Sequence, residues 1–253
     1  MRPLFLAAAL SFSQVALART DPDSGPPDVL YPTLPAQAAS IDRFVPEGWR
    51  TEADLRGHLD AGNTPDALLL LRMDDPANVL APGTFRSERV DTNPRMLVAL
   101  IADAGGGWRR VMANHVLIPR GDSPNMDDYL GESPADALRI HANRTWSVNL
   151  HSWSSAGSWD TSETTFTFRL EGDCMRLVGL DEDALHRGSG ETTALSVNFL
   201  TGRASKRDGS IEESMPRPER WTRLASNARV CIDDIGDGFG YAPALVPFAE
   251  SMR

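Results

Sequence analysis

Short apolar segments separated by turn-forming residues recur along most of the chain, and this spacing limits the fold more than any other feature of the sequence. Residues 166–170 and 175–179 alternate between apolar and polar side chains, and Glu171, Gly172 and Asp173 connect them. Alternation is typical of strands that bury one face, and a short connection with glycine is typical of a β-hairpin. Three further hairpins are expected, at residues 95–101 with 108–112, 137–141 with 146–151, and 194–200 with 203–206.

The fold class that follows is mainly β, with antiparallel hairpins in a sandwich or a propeller-like meander and few short helices. The uninterrupted apolar run at residues 67–71 suits a buried strand. The best candidates for helices are residues 126–130 and 217–228, and both are short.

The N-terminus has the three zones of a secretory signal peptide. Arg2 precedes an apolar run at residues 4–17, and the small-residue pattern A-x-A follows at residues 16–18. The run is shorter than the ~20 residues that a transmembrane helix needs. We therefore expect residues 1–18 to be removed on export from a bacterial cytoplasm, and the remaining chain to work in the periplasm or the medium.

The mature chain divides by composition into two parts. Residues 19–40 are rich in proline, aspartate and serine, which predicts a flexible leader. Residues 41–253 are expected to form a single β-rich domain, and a division into two halves near residues 119–134 stays open.

The two cysteines of the chain, Cys174 and Cys231, are predicted to form a disulfide bond because the compartment is oxidising. Two buried free thiols are the alternative. The formal net charge of −10 argues against nucleic acid or an anionic membrane as partner, because both bind concentrated basic surfaces. A cationic partner remains compatible with this charge.

One loop, at residues 57–66, has the outline of a calcium-binding loop before an apolar strand. Asp60 and Asp66 are its strong oxygen donors, whereas His58 and Gly62 stand where further acidic ligands are needed. Because calcium takes six to eight oxygen ligands, we interpret the loop mainly as a structural turn. No cofactor is predicted, and calcium is kept as the weaker alternative.

A second loop, between two predicted strands, carries two tryptophans among small residues. Small residues let a partner approach the backbone, and tryptophan supplies a large contact area. A glycine-containing loop at residues 181–191 is a candidate to lie at the same end of the fold. The predicted partner-binding residues are Trp153, Ser154, Ser155, Gly157, Ser158, Trp159, Arg187 and Ser189. The alternatives are tryptophans that pack back onto the sheet and a solvated connection at residues 181–191.

Sequence signatures of catalysis are missing from the chain. It has no nucleophile elbow, zinc-protease helix motif, phosphate-binding loop or dinucleotide fingerprint. The five histidines are scattered. We therefore predict a protein that is not an enzyme, with an unrecognised hydrolase as an alternative.

The order of short motifs resembles a family of exported bacterial β proteins of the FG-GAP/VCBS-like type. The likeness covers residues 44–207, and its landmarks are residues 45–49, 57–66, 95–100, 154–159, 168–179 and 196–202. The family includes periplasmic immunity proteins against peptidoglycan hydrolase effectors of type IV secretion systems. The resemblance implies an inhibitor that inserts the loop at residues 154–159 into a lysozyme-like hydrolase. A carbohydrate or peptidoglycan binding module that stacks sugars on Trp153 and Trp159 is the alternative.

Overall fold

The computed structural model describes residues 25–83, 88–224, 229–239 and 241, which form two antiparallel sheets and a short ribbon. The predicted signal peptide lies outside these residues. In the described ranges the helices are short 3-10 turns at Ile41–Phe44, Pro76–Asn78 and Ile232–Asp234. No helix in the same ranges is long and apolar enough to cross a membrane. The prediction of a mainly β fold is confirmed.

Sheet 1 has five strands and sheet 2 has seven. In spatial order, sheet 1 contains β1 (Gln37–Ala38), β7 (Trp108–Asn114), β6 (Arg95–Ala102), β3 (Asp66–Met73) and β2 (Trp49–Gly57). Sheet 2 contains β14 (Arg220–Arg223), β13 (Arg203–Ser210), β12 (Glu191–Asn198), β11 (Cys174–His186), β10 (Asp160–Glu171), β9 (Thr145–Ser152) and β8 (Leu138–Ile140). The ribbon pairs β4 (Val79–Leu80) with β5 (Val90–Asp91).

The four hairpins expected from the sequence are all present. They are β6–β7, β8–β9, β10–β11 and β12–β13, each paired antiparallel. Within β10–β11, Phe166 lies opposite Leu180, and both side chains are buried. The period-two pattern therefore identified the buried face of these strands.

The main core lies between the sheets, as expected for a sandwich. Leu68 and Leu70 from β3 share one buried cluster with Trp146 and Phe168 from sheet 2. The rings of Trp146 and Phe168 stack with their centroids 4.8 Å apart. Burying a large side chain of this kind contributes about 1.5–3 kcal/mol, so this cluster holds the two sheets together.

A second apolar cluster covers the opposite face of sheet 1. Leu69 and Leu71 of β3 pack there with Leu34 and Phe44 from the N-terminal segment. Both faces of β3 are thus buried, which explains its uninterrupted run of apolar residues. The last part of the predicted leader, residues 19–40, packs on sheet 1, where Leu34 is buried and β1 pairs with β7.

Neither predicted helix forms among the described residues. Residues 126–130 are too few to nucleate a helix, and Met126 instead forms a bridge with Ser154. In the second segment, Arg220–Arg223 is the edge strand β14, because the open edge of β13 offers it hydrogen-bond partners. The part of that segment at residues 225–228 lies outside the description.

The predicted disulfide bond is present. Cys174 at the start of β11 is joined to Cys231, with the two Cα atoms 5.5 Å apart. The bond attaches the 3-10 turn Ile232–Asp234 to sheet 2, and the alternative of two free thiols is wrong.

Among the strands of the described residues, β10 and β11 are the longest, with 12 and 13 residues, whereas β6 in sheet 1 has 8. The outer part of this hairpin carries the loop from β9 to β10 and the turn from β11 to β12. Both predicted partner-binding segments are therefore placed at one end of sheet 2.

Candidate functional site

Strand register brings the two predicted segments together. Asp160, which follows the tryptophan loop, lies opposite His186, which precedes the β11–β12 turn. The N–H of Arg187 donates to the carbonyl oxygen of Trp159 at 2.8 Å. We call residues 153–159 together with residues 186–190 the tip.

Arg187 holds the tip through its guanidinium group. This group donates to the carbonyl oxygens of Ser154 at 2.5 Å, Ser158 at 2.8 Å and Trp159 at 3.3 Å. It also lies 4.8 Å from the ring centroid of Trp153 and 6.0 Å from that of Trp159. The planar guanidinium fork can stack on an aromatic ring while its N–H groups donate to several acceptors, which suits arginine better than the compact ammonium of lysine. The loop backbone is thus fixed from inside by one side chain.

The small residues of the loop also have defined partners. The Ser154 hydroxyl donates to the carbonyl oxygen of Ala156, and the N–H of Asp160 donates to the Ser158 hydroxyl at 2.9 Å. Gly157 has a φ of +92°, a conformation that a side chain disfavours. These contacts define a turn within the loop.

Ser155 and Ser189 fasten the tip to its surroundings. The N–H of Ser155 donates to the carbonyl oxygen of Asn125 at 2.8 Å. The N–H of Ser189 donates to His186 Nδ1 at 3.0 Å, and its hydroxyl donates to Glu191 at 3.1 Å. Both serines therefore have structural contacts inside the tip or beside it.

The two tryptophans differ in exposure. Trp159 is 63% exposed and Trp153 is half-buried. Residues 155–160 are all exposed. The structure brings the eight predicted partner-binding residues together at one end of the molecule, and Trp159 is the large apolar side chain that they present to solvent.

The segment at residues 125–127, which the sequence analysis did not assign to the binding site, supports the tip from one side. Besides the bridge between Met126 and Ser154, the N–H of Asp127 donates to the carbonyl oxygen of Trp153 at 3.1 Å. These contacts are made between backbones, so no side-chain pattern could have revealed them.

The hairpin below the tip carries several acidic side chains, namely Asp160, Glu163, Asp181, Glu182 and Asp183. Burial raises the pKa of the Glu182 carboxyl, and the neighbouring Asp183 raises it further. Arg187 is the cation that the two tryptophans share at the tip.

The two candidate calcium ligands serve the loop between β2 and β3. Asp66 is buried, and its carboxylate accepts N–H groups from Leu59 at 2.7 Å, Asp60 at 3.2 Å and Ala102 at 3.0 Å. Asp60 accepts the N–H of Gly62 at 2.6 Å. Both carboxylates therefore stabilise the turn. In the part of the chain that the structure describes, no three His, Cys, Asp or Glu side chains are grouped to hold a metal ion.

Comparison of the chain with protein-family models, with curated proteins and with solved structures finds no match.

Proposed function

We propose that this chain is a non-enzymatic binding protein that docks its tip into the active-site cleft of a lysozyme-like cell-wall hydrolase. The observation that carries the proposal is Trp159, which is 63% exposed at the end of a long hairpin while Arg187 holds the backbone around it. An exposed aromatic residue on an ordered loop suits insertion into a concave partner surface.

Order in the free loop favours tight binding. A loop that is already held by hydrogen bonds loses little conformational entropy when a partner binds. Arg187 and the serines supply that order, so the ordering of the loop offsets only a small part of the contact energy of Trp159. A central tryptophan of an interface typically contributes about 2 kcal/mol or more.

The partner class and the location rest on the sequence. The motif order resembles immunity proteins that act on peptidoglycan hydrolase effectors, and the N-terminal signal leads to the periplasm. The net charge of −10 suits a basic hydrolase, because opposite charges accelerate encounter.

The first experiment combines capture and inhibition. The purified protein is immobilised, exposed to a periplasmic extract, and then assayed for inhibition of the captured hydrolase and of a panel of lysozymes on a peptidoglycan suspension. We expect capture of a muramidase or a related hydrolase and loss of its activity at micromolar or lower protein. If the protein inhibits neither the captured hydrolase nor any lysozyme of the panel, the proposal is contradicted.

Exposure of the Trp159 ring also supports a second candidate, a module that binds peptidoglycan by stacking sugars. Purified sacculi that sediment the wild-type protein but not the Trp159→Ala variant would favour this candidate. Sacculi that leave both proteins in solution would exclude it.

A further inference from the structure

Sheet 2 carries a groove on the face that points away from the core. Its floor consists of side chains from β10, β11 and β12, and residues 213–217 form a wall along one side. The groove has a volume of about 550 Å³. Thr161, Leu185, Thr192, Ala194, Met215 and Pro216 supply much of its lining. We call it the strap groove.

The wall of the strap groove is attached to the sheet. The N–H of Glu213 donates to the carbonyl oxygen of Ser210 at 3.1 Å, and the N–H of Ile211 donates to that of Gly190 at 2.9 Å. Arg217 and Glu213, four residues apart in the sequence, form an ion pair at 2.6 Å. The exposed Met215 is carried between these anchors. These bonds therefore fix the position of the wall relative to the strands that form the floor of the groove.

Two carboxylates line the floor of the groove side by side. Glu163 on β10 lies directly opposite Asp183 on β11, and like charges in such a pair destabilise a sheet. Glu163 contacts His151 Nδ1 at 2.7 Å. Among the residues that the structure describes, the Asp183 side chain has no hydrogen-bond or ion-pair partner. A cation in the groove would remove this repulsion.

The surroundings reinforce the negative charge. A second concavity of about 720 Å³ shares Glu163 and is also lined by Asp127, Glu132 and Asp136. The two arginines of the strap groove already face carboxylates, because Arg217 pairs with Glu213 and Arg207 lies 3.9 Å from Glu219.

We propose that the strap groove binds a lysine or arginine side chain presented by a basic segment of a partner protein. The aliphatic stem would pack on Leu185, Ala194 and Met215, and the charged head would reach Glu163 and Asp183. Long basic side chains combine an apolar stem with a charged end, and the groove offers the complement of both. No lining residue of the strap groove belongs to the tip, although the groove wall is anchored on Gly190, and the proposal does not depend on the proposed function.

The test uses two blocked pentapeptides, acetyl-Gly-Leu-Lys-Leu-Gly-amide and its glutamate counterpart, titrated into the isotopically labelled full chain. Amide chemical shifts are followed by NMR at low and at high salt. We expect saturable shifts at the groove with the lysine peptide only, and weaker binding at high salt because the head group pairs with carboxylates.

Matched variants identify the site. Glu163→Gln with Asp183→Asn should weaken binding of the lysine peptide about tenfold, since two ion pairs are lost. Because this variant removes a like-charge pair, it should fold. Asp42→Asn with Glu47→Gln makes the same change in net charge at two exposed positions of the N-terminal layer and should change binding less than about twofold. Trp159→Ala should leave binding unchanged.

Three results would overturn the proposal. They are equal binding of the glutamate peptide, shifts that never saturate, and equal weakening by both charge variants. The last result would mean that only the net charge of the protein matters.

Discussion

Two charged side chains hold loops of this protein by bonding to backbone groups. Arg187 donates to three carbonyl oxygens of the tip, and Asp66 accepts three N–H groups around the β2–β3 loop. A hydrogen bond that involves a charged group contributes about 1.5–3 kcal/mol, more than a neutral one. Each of these residues thus makes three of the hydrogen bonds that hold its loop.

The first prediction concerns Arg187. Arg187→Ala removes the three hydrogen bonds to the loop carbonyls, so amide exchange at residues 154–159 should accelerate about tenfold or more. The free energy of unfolding should fall by only about 1 kcal/mol, because the loop is exposed. Arg187→Lys should restore little of the protection, since an ammonium group cannot reproduce the planar contacts. Exchange that is as slow in the alanine variant as in the wild type would show that other contacts order the tip.

The second prediction concerns Asp66. Asp66→Ala leaves three N–H groups without their acceptor in a buried place, so the free energy of unfolding should fall by about 3 kcal/mol. Asp66→Asn keeps one acceptor oxygen and should lose less. Urea unfolding measures both variants. Asp60→Asn is the control, since it alters an exposed loop bond and should change stability by less than about 1 kcal/mol.

At the scale of elements, Arg95 of β6 joins strand β2 to the connection between the sheets. Its guanidinium contacts Glu52 at 2.6 Å and Asp128 at 2.7 Å. Burial acts to raise the pKa of Asp128, but the hydrogen bonds and charge of Arg95 outweigh it and lower the pKa. A lowered pKa adds stability above the unfolded-state value of about 3.9.

The third prediction follows from this linkage. The stability that Asp128 supplies should be present above about pH 4 and lost as the pH falls through its lower folded-state pKa. Arg95→Met should lower the free energy of unfolding at neutral pH by about 2 kcal/mol, reduced from a fully buried pair because Asp128 is partly exposed. Chemical unfolding between about pH 2 and pH 7 measures both effects. If the free energy of unfolding of Arg95→Met falls on acidification as much as that of the wild type, the pairing of Arg95 with Asp128 does not supply this stability.

The fourth prediction concerns the disulfide bond. Cys174→Ala with Cys231→Ala should lower the free energy of unfolding by about 4 kcal/mol, the chain-entropy value for a loop spanning a sequence separation of 57 residues. The turn Ile232–Asp234 should exchange its amides first, because the bond attaches it to β11. Equal thermal stability of the oxidised protein and the variant would contradict this estimate.

Hairpins were predictable because their signal is local. Alternation and turn residues are enough to locate β10–β11 and its buried face. The helix expected at residues 217–228 failed because pairing with β13 outweighs a weak local preference. The tip residues could be proposed from composition, but the link from Arg187 to Ser154 joins positions 33 apart and has no local signature.

At the scale of the whole molecule, the two sheets differ in what they leave open. Sheet 1 is covered by sheet 2 on one face and by the N-terminal segment on the other. Sheet 2 keeps its strap groove and its long β10–β11 end exposed. Both proposed binding surfaces therefore lie on sheet 2, and sheet 1 supports it.

The most direct test compares two exposed tryptophans. Trp159 is 63% exposed at the tip, and Trp221 is 57% exposed on edge strand β14, where it lies 4.7 Å from the Arg203 guanidinium. The two alanine variants therefore remove the same side chain at similar exposure beside an arginine, and only Trp159 belongs to the tip. Their dissociation constants for a captured hydrolase are measured beside that of the wild type. We predict that Trp159→Ala raises the constant at least about 30-fold and that Trp221→Ala changes it less than about twofold. Equal effects of the two substitutions, or no effect of Trp159→Ala, would contradict a binding function of the tip.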